Sequence, residues 1–109
     1  MATWLLQANL NHARYAQDLF VHTMAERGIG LGVAAEPYNV PDHPCWVADR
    51  LGSMAIHWRA FDASPPASFV EAGNGFVAVE WGAIVVVGCY CPPSLSLAQF
   101  EDYLDGLEE

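Results

Sequence analysis

Residues 32–38, with the sequence GVAAEPY, decide the fold. Small and apolar residues lead directly into the carboxylate of Glu36, and Pro37 follows at once. A short apolar run closed by a proline is typical of a buried strand, because proline cannot continue a hydrogen-bonded ladder. The stretch therefore predicts a strand over residues 31–36, which places a carboxylate with no neighbouring Lys or Arg at the strand's carboxyl end.

A strand and a helix are predicted upstream of this stretch. Residues 3–9 (TWLLQAN) have the composition of a buried strand, and Asn11 is placed to cap a helix that ends at Gly28. The residues at helical spacing are Ala13, Ala16, Leu19, Phe20, Met24 and Arg27. Strand, helix and strand in succession predict a βαβ unit with two parallel strands and a right-handed crossover.

Three more strands are predicted downstream. Residues 53–60 alternate as a half-buried strand does, and residues 75–81 and 83–91 predict a hairpin around Gly82. Residues 37–52 and 61–74 are predicted loops. A last helix is expected after Ser94 or Ser96, with apolar residues on one side and acidic residues on the other. The order β-α-β-β-β-β-α indicates half of a larger α/β fold.

The charge balance argues against a basic nucleic-acid-binding face. The net charge is −9, from four Arg and no Lys against 13 acidic residues, and any DNA contact would need positive charge from a metal ion or a partner. Only 16% of the residues are charged, against about 25% in ordinary soluble domains. The length fits one domain. Hydrophobic residues make up 53% of the chain, and this apolar excess predicts a surface that the chain cannot bury by itself.

Cysteine usage and the absence of apolar runs indicate an intracellular location. Three cysteines exclude a complete disulfide framework, and the spacing of Cys89 and Cys91 is not that of a zinc site. Neither a signal peptide nor an apolar run of membrane-spanning length, about 18 residues, is evident in the sequence. No membrane partner is therefore expected.

Polar residues are predicted to gather at one rim of the sheet. Asn9 ends the first strand and Glu36 ends the second, and the carboxyl ends of parallel strands share one rim. Tyr90 joins them if its strand runs the same way. Such oxygen donors suit Mg²⁺, which takes one or two carboxylates plus water. The alternative is that Glu36 is a solvated rim residue without a ligand.

Five segments carry a resemblance to a known family, in order and spacing. They are residues 7–11 (QANLN), 35–38 (AEPY), 79–82 (VEWG), 86–93 (VVGCYCPP) and the SLxxFExxLxxLE pattern that starts at Ser96. The chain resembles the endonuclease/exonuclease/phosphatase superfamily, in the form found at the N-terminus of insect non-LTR retrotransposon polyproteins, where it accompanies a reverse transcriptase. The resemblance spans nearly all 109 residues.

The resemblance implies a DNase-I-like four-layer α/β sandwich that nicks DNA with Mg²⁺. By this resemblance Glu36 binds the metal, Asn9 lies beside it at the metal and orients the site, and Tyr90 faces the phosphate. The family's Gly-Asp-Phe-Asn segment and terminal Ser-Asp-His do not occur in this sequence. Residues 1–109 are thus expected to be a partial domain, the N-terminal half truncated before the first of these segments, and nuclear if part of an active element.

The sequence is compatible with two functions, one enzymatic and one in protein interaction. The first is a fragment of a Mg²⁺-dependent DNA endonuclease, inactive alone and weak in Mg²⁺ binding. The second is a small acidic interaction module that keeps the half-fold and self-associates through its uncovered sheet. His12 and His22 are interpreted as surface or edge residues of the first helix.

Overall fold

A computed structural model describes residues 4–59 and 65–90, which contain one helix and seven strands. The elements are β1 (Leu5–Asn9), α1 (Arg14–Arg27), β2 (Leu31–Ala35), β3 (Trp46–Ala48), β4 (Met54–Trp58), β5 (Ala67–Gly73), β6 (Phe76–Trp81) and β7 (Ile84–Cys89). One sheet has the order β1-β2-β4-β3 and the other β5-β6-β7. The last helix predicted from the sequence lies outside the described residues.

The βαβ unit is confirmed. β1 and β2 are parallel, with Leu5 opposite Leu31 and Asn9 opposite Ala35. The prediction that the first strand is buried is wrong, because β1 is the edge strand of its sheet. Its alternate residues Leu5, Gln7 and Asn9 are exposed, while the side chains between them face α1 and are half-buried.

The helix begins later than predicted, and Asn11 is not its cap. The capping position is Ala13, which offers no side-chain hydrogen bond, and α1 starts at Arg14. Instead the backbone N–H of Asn11 donates to Asn9 Oδ1 over 2.9 Å, which closes a tight turn before the helix. The C-terminal cap is confirmed, since Gly28 adopts φ 64° and its N–H donates to the Met24 carbonyl. No helix within the described ranges is long and apolar enough to cross a membrane.

Two strands lie where the sequence predicted loops, so the predicted order with five strands is corrected to seven. β3 forms within residues 37–52, and β5 forms within residues 61–74. β3 has only three residues, and β5 carries a bulge between Phe69 and Glu71 that breaks its alternation. The strand over residues 53–60 and the hairpin are confirmed within shorter bounds, as β4, β6 and β7.

The core consists of two apolar clusters on the two faces of the four-stranded sheet. α1 packs on one face through Phe20 and Met24, and residues 77–81 of the second sheet cover the other face. β7 lies against β2 and β4, and β6 lies against β4 and β3. Residues 4–59 and 65–90 thus form three layers, one helix layer and two sheets. The described residues therefore have a mixed α/β fold with two packed sheets, which agrees with the predicted α/β class.

Candidate functional site

Glu36 and Tyr90 meet at the rim where β2 ends. The Tyr90 hydroxyl donates a hydrogen bond of 3.3 Å to Glu36 Oε1, across 54 positions of sequence. The backbone N–H of Glu36 donates to the Ser53 carbonyl at 2.9 Å, and that of Tyr90 donates to the Gly75 carbonyl at 2.8 Å. Each residue is thus anchored to a different sheet, and the packing of the sheets brings the two side chains together.

Asn9 lies at the same rim, as predicted, one strand further out. It is paired with Ala35, the residue before Glu36, and the N–H of Leu10 donates to the Ala35 carbonyl at 2.9 Å. Asn9 also lines a cleft of about 460 Å³ that reaches from β1 to Cys89 at the end of β7. Its side-chain oxygen accepts from Asn11 and retains a second lone pair toward solvent.

His12 belongs to this site, and its predicted position on the first helix is wrong. It precedes α1, and its backbone N–H donates to the Glu36 carbonyl at 2.8 Å. Its ring Nδ1 lies 3.1 Å from the Pro37 carbonyl, and Nε2 lies 3.8 Å from Glu36 Oε1. The closely spaced asparagines in QANLN are the signal that could have indicated a turn here rather than a helix start.

The rim carries three non-glycine residues in the left-handed backbone region. Asn11 has φ 50°, His12 has φ 55° and Glu36 has φ 50°. Such residues are uncommon, each costs on the order of 1–3 kcal/mol, and they concentrate at functional sites. Hydrogen bonds from His12 to the Glu36 and Pro37 carbonyls join the two turns, and the N–H of Asn11 donates to the Asn9 side chain.

Gln17 fixes the turn that follows Glu36, a role that its position on the predicted helix does not indicate. Its side chain is buried on α1. Oε1 accepts from the N–H groups of Tyr38 and Asn39 at 2.8 and 3.1 Å, and Nε2 donates to the Asn39 carbonyl at 2.5 Å. An amide that pairs with three backbone groups makes a rigid connection, so Gln17 is a positioning residue for the Glu36 turn.

The oxygen atoms at the rim that could bind a metal suit a hard cation that keeps most of its water ligands. They are the Glu36 carboxylate, the Tyr90 hydroxyl and the Asn9 amide, and the Glu36 side chain is 23% exposed. Among residues 4–59 and 65–90, no group of three His, Cys, Asp or Glu could enclose a metal ion. The donor set fits Mg²⁺ held by one carboxylate with water completing its coordination.

Comparisons with known proteins point to one fold. No protein-family model matches the chain, and no curated protein matches it. Among solved structures, the endonuclease domain of TRAS1, a telomere-specific non-LTR retrotransposon, matches with a TM-score of 0.73 and 21% sequence identity. The match covers 98% of this chain and 52% of that one. The predicted resemblance is confirmed at the level of the fold: this chain folds like about half of a retrotransposon endonuclease domain.

Proposed function

We propose that this chain is part of a Mg²⁺-dependent DNA endonuclease domain, to which it contributes the metal-binding side of the active site. The observation that carries the proposal is the hydrogen bond from Tyr90 to Glu36, formed at the rim of a fold shared with a retrotransposon endonuclease domain. The proposed setting is a retrotransposon polyprotein with a reverse transcriptase, and the nucleus when the element is active. The substrate is a DNA phosphodiester.

Each side chain at the rim has a separate proposed role. Glu36 is the ligand that would hold Mg²⁺, with the Asn9 amide beside it. A bound Mg²⁺ supplies Lewis-acid chemistry, because it neutralises phosphate charge and polarises the attacked phosphorus. The Tyr90 hydroxyl donates to the Glu36 carboxylate and so orients it, and the resemblance assigns Tyr90 to the phosphate side. Gln17 and the His12 backbone keep the Glu36 turn in one conformation.

The chain alone is proposed to be inactive. By the resemblance, the general base belongs to the family's later acidic and histidine segments, which do not occur in the sequence. General acid–base catalysis is worth about 10²–10⁴-fold in rate. The net charge of −9 also opposes the approach of DNA.

A nicking assay on supercoiled plasmid tests this proposal. The 109-residue chain in Mg²⁺ should give no detectable nicking. A fusion of this chain to the portion of the TRAS1 endonuclease domain outside the match should nick. In that fusion Glu36→Gln should lower the rate of nicking by about 100-fold or more, because it removes the charge that holds the metal. A bound metal stabilises the transition state by several kcal/mol.

Glu80→Gln is the matched control. Glu80 is an exposed carboxylate on β6, so the same change of charge there should leave nicking intact. Equal nicking by the Glu36→Gln and Glu80→Gln fusions would show that Glu36 is a solvated rim residue and not a metal ligand.

A second function, an acidic interaction module, draws on a different observation. Apolar side chains remain exposed along the outer sheet strands of the described chain, with Val85 58% and Val87 49% exposed on β7. Trp4 and Leu5 at β1 are 62% and 42% exposed. Surfaces of this kind suit association with another polypeptide, including a second copy of this chain.

A further inference from the structure

We infer that His12 is a second metal ligand beside Glu36, and that it gives the rim site a preference for cations that accept nitrogen ligands. The inference rests on the proposed metal-binding role of Glu36. It adds a residue that the resemblance does not assign, and it changes which ions the site should select.

The hydrogen bond to Pro37 determines the tautomer of His12. A carbonyl oxygen can only accept, so the 3.1 Å contact between Nδ1 and the Pro37 carbonyl requires the proton on Nδ1. In neutral His12 the other nitrogen, Nε2, therefore carries a free lone pair. A ligating histidine almost always donates its other ring N–H to a carbonyl, a carboxylate or water in this way.

The lone pair of Nε2 lies next to the Glu36 carboxylate. Nε2 and Glu36 Oε1 are 3.8 Å apart, and neither of these atoms can donate a hydrogen bond to the other in the neutral tautomer. Nitrogen and oxygen ligands bind divalent transition cations at about 2.0–2.2 Å. Because 3.8 Å is less than two such bond lengths, one cation fits in contact with both atoms.

The backbone holds His12 in this position. Its N–H donates to the Glu36 carbonyl, its ring bonds to the next residue, and its φ of 55° is a conformation that few histidines adopt. Its side chain is 63% exposed, so a cation and its water ligands can reach it. His22 differs, since it faces Glu26 one turn along an exposed helix surface, with both side chains more than 60% exposed.

An ion pair is the simpler role for His12, and it predicts the opposite result. If His12 only neutralised Glu36 as an imidazolium, removing it would leave cation binding unchanged or strengthen it. If Nε2 is a ligand, removing it should weaken the binding of imidazole-accepting cations such as Co²⁺ and affect Mg²⁺ little, since Mg²⁺ prefers oxygen.

Titrations of the full 109-residue chain with Co²⁺ and with Mg²⁺ separate these roles. Paramagnetic broadening of the Glu36 backbone amide resonance reports Co²⁺, and the shift of the same resonance reports Mg²⁺. His12→Gln should raise the Co²⁺ midpoint by at least about tenfold, the lower end of the effect of losing a partner at a metal site. The Mg²⁺ midpoint should change little, and His22→Gln should change neither.

The unaltered chain provides a second measurement that does not depend on a variant folding. The His12 ring resonances should broaden at lower Co²⁺ than those of His22. Equal Co²⁺ midpoints for the unaltered chain and His12→Gln, or earlier broadening at His22, would overturn the inference. The Glu36→Gln variant distinguishes failure of this inference from failure of the proposed function. If the inference fails but Glu36→Gln abolishes the response to both Co²⁺ and Mg²⁺, the proposed function stands. If Mg²⁺ still binds to Glu36→Gln, the proposed function itself is wrong.

Discussion

A single buried carboxylate connects the two halves of the candidate site. Asp49 accepts from the N–H and hydroxyl of Ser53 at 2.8 and 2.5 Å, and from the Gly75 N–H at 2.9 Å. The Ser53 carbonyl in turn accepts from Glu36, and the Gly75 carbonyl accepts from Tyr90. Asp49 therefore fixes the backbone partners of both rim residues, through charge-assisted hydrogen bonds that are stronger than neutral ones.

The sequence could predict the rim residues but not the residues that position them. Asn9 and Glu36 were found because each ends an apolar strand of a βαβ unit, a pattern that is local in sequence. Asp49 lies in a predicted loop and Gln17 on a predicted helix, and nothing near either one shows that it also bonds to a residue more than 20 positions away, Gly75 for Asp49 and Tyr38 for Gln17. His12 was misplaced because its left-handed backbone leaves no mark on the helical spacing.

His57 gives the protein a dependence of stability on pH. Its ring stacks on Trp46 with centroids 4.4 Å apart, and its Nδ1 lies 2.9 Å from the Cys45 carbonyl. Burial lowers its pKa from the ordinary value of 6.5, and the charges of His43 and Arg59 act in the same direction, while the hydrogen bond to Cys45 opposes them. The folded state therefore favours the neutral ring.

We expect the free energy of unfolding to fall as the pH drops through 6.5. Above that value the ring is neutral in both states, and below it the unfolded chain binds the proton first, until the lowered pKa of the folded state is passed. Melting temperatures between pH 7.5 and 5 should fall more for the unaltered protein than for His57→Phe, which keeps an aromatic ring against Trp46. Identical pH profiles for the two proteins would contradict this role of His57.

At the scale of elements, the sequence predicts the helices and strands that have a local pattern, and it does not predict the strands that depend on long-range pairing. α1, β2, β4 and the β6–β7 hairpin were predicted because their periodicity, their caps or their turn glycine are contained within each segment. β3 and β5 were missed because they form through pairing with β4 and β6, which supply their hydrogen bonds from elsewhere in the chain. The propensity of a residue for a strand depends more on its context than its propensity for a helix, for this reason.

Gly32 is the point at which α1 comes closest to the sheet. A Cβ built at this position would lie 2.5 Å from both Met24 Sδ and Phe20 Cζ, which are buried. Gly32→Ala should therefore displace the buried side chains of Met24 and Phe20 and lower the free energy of unfolding by about 1–3 kcal/mol, the usual cost of overpacking a core. Urea denaturation followed by far-ultraviolet circular dichroism measures this.

The same substitution in a Phe20→Leu background provides the control. Leucine lacks the ring atom that the new methyl group meets, so Gly32→Ala should cost less there than in the unaltered protein. An equal cost in both backgrounds would show that contact with Phe20 does not determine the packing of α1.

At the scale of the whole molecule, the part of the chain that the structure describes has four outer strands in its two sheets. β1 and β3 are the outer strands of one sheet, and β5 and β7 are those of the other. Outer strands present unpaired backbone groups, and an apolar strand of this kind invites pairing with another chain. β7 combines such an edge with exposed Ile84, Val85 and Val87, which agrees with the apolar excess of the composition.

We therefore expect the isolated chain to self-associate through β7 and the sheet edge that it forms. Sedimentation velocity should show a weight-average mass that rises with concentration in the micromolar range. Val87→Lys should restore the monomer, because a charged side chain on an edge strand opposes pairing with a second copy. Leu51→Lys introduces the same charge at another exposed apolar residue, 69% exposed in a loop, and should leave association unchanged. A monomer at every concentration, or equal effects of the two variants, would mean that β7 is not the surface through which the chain associates.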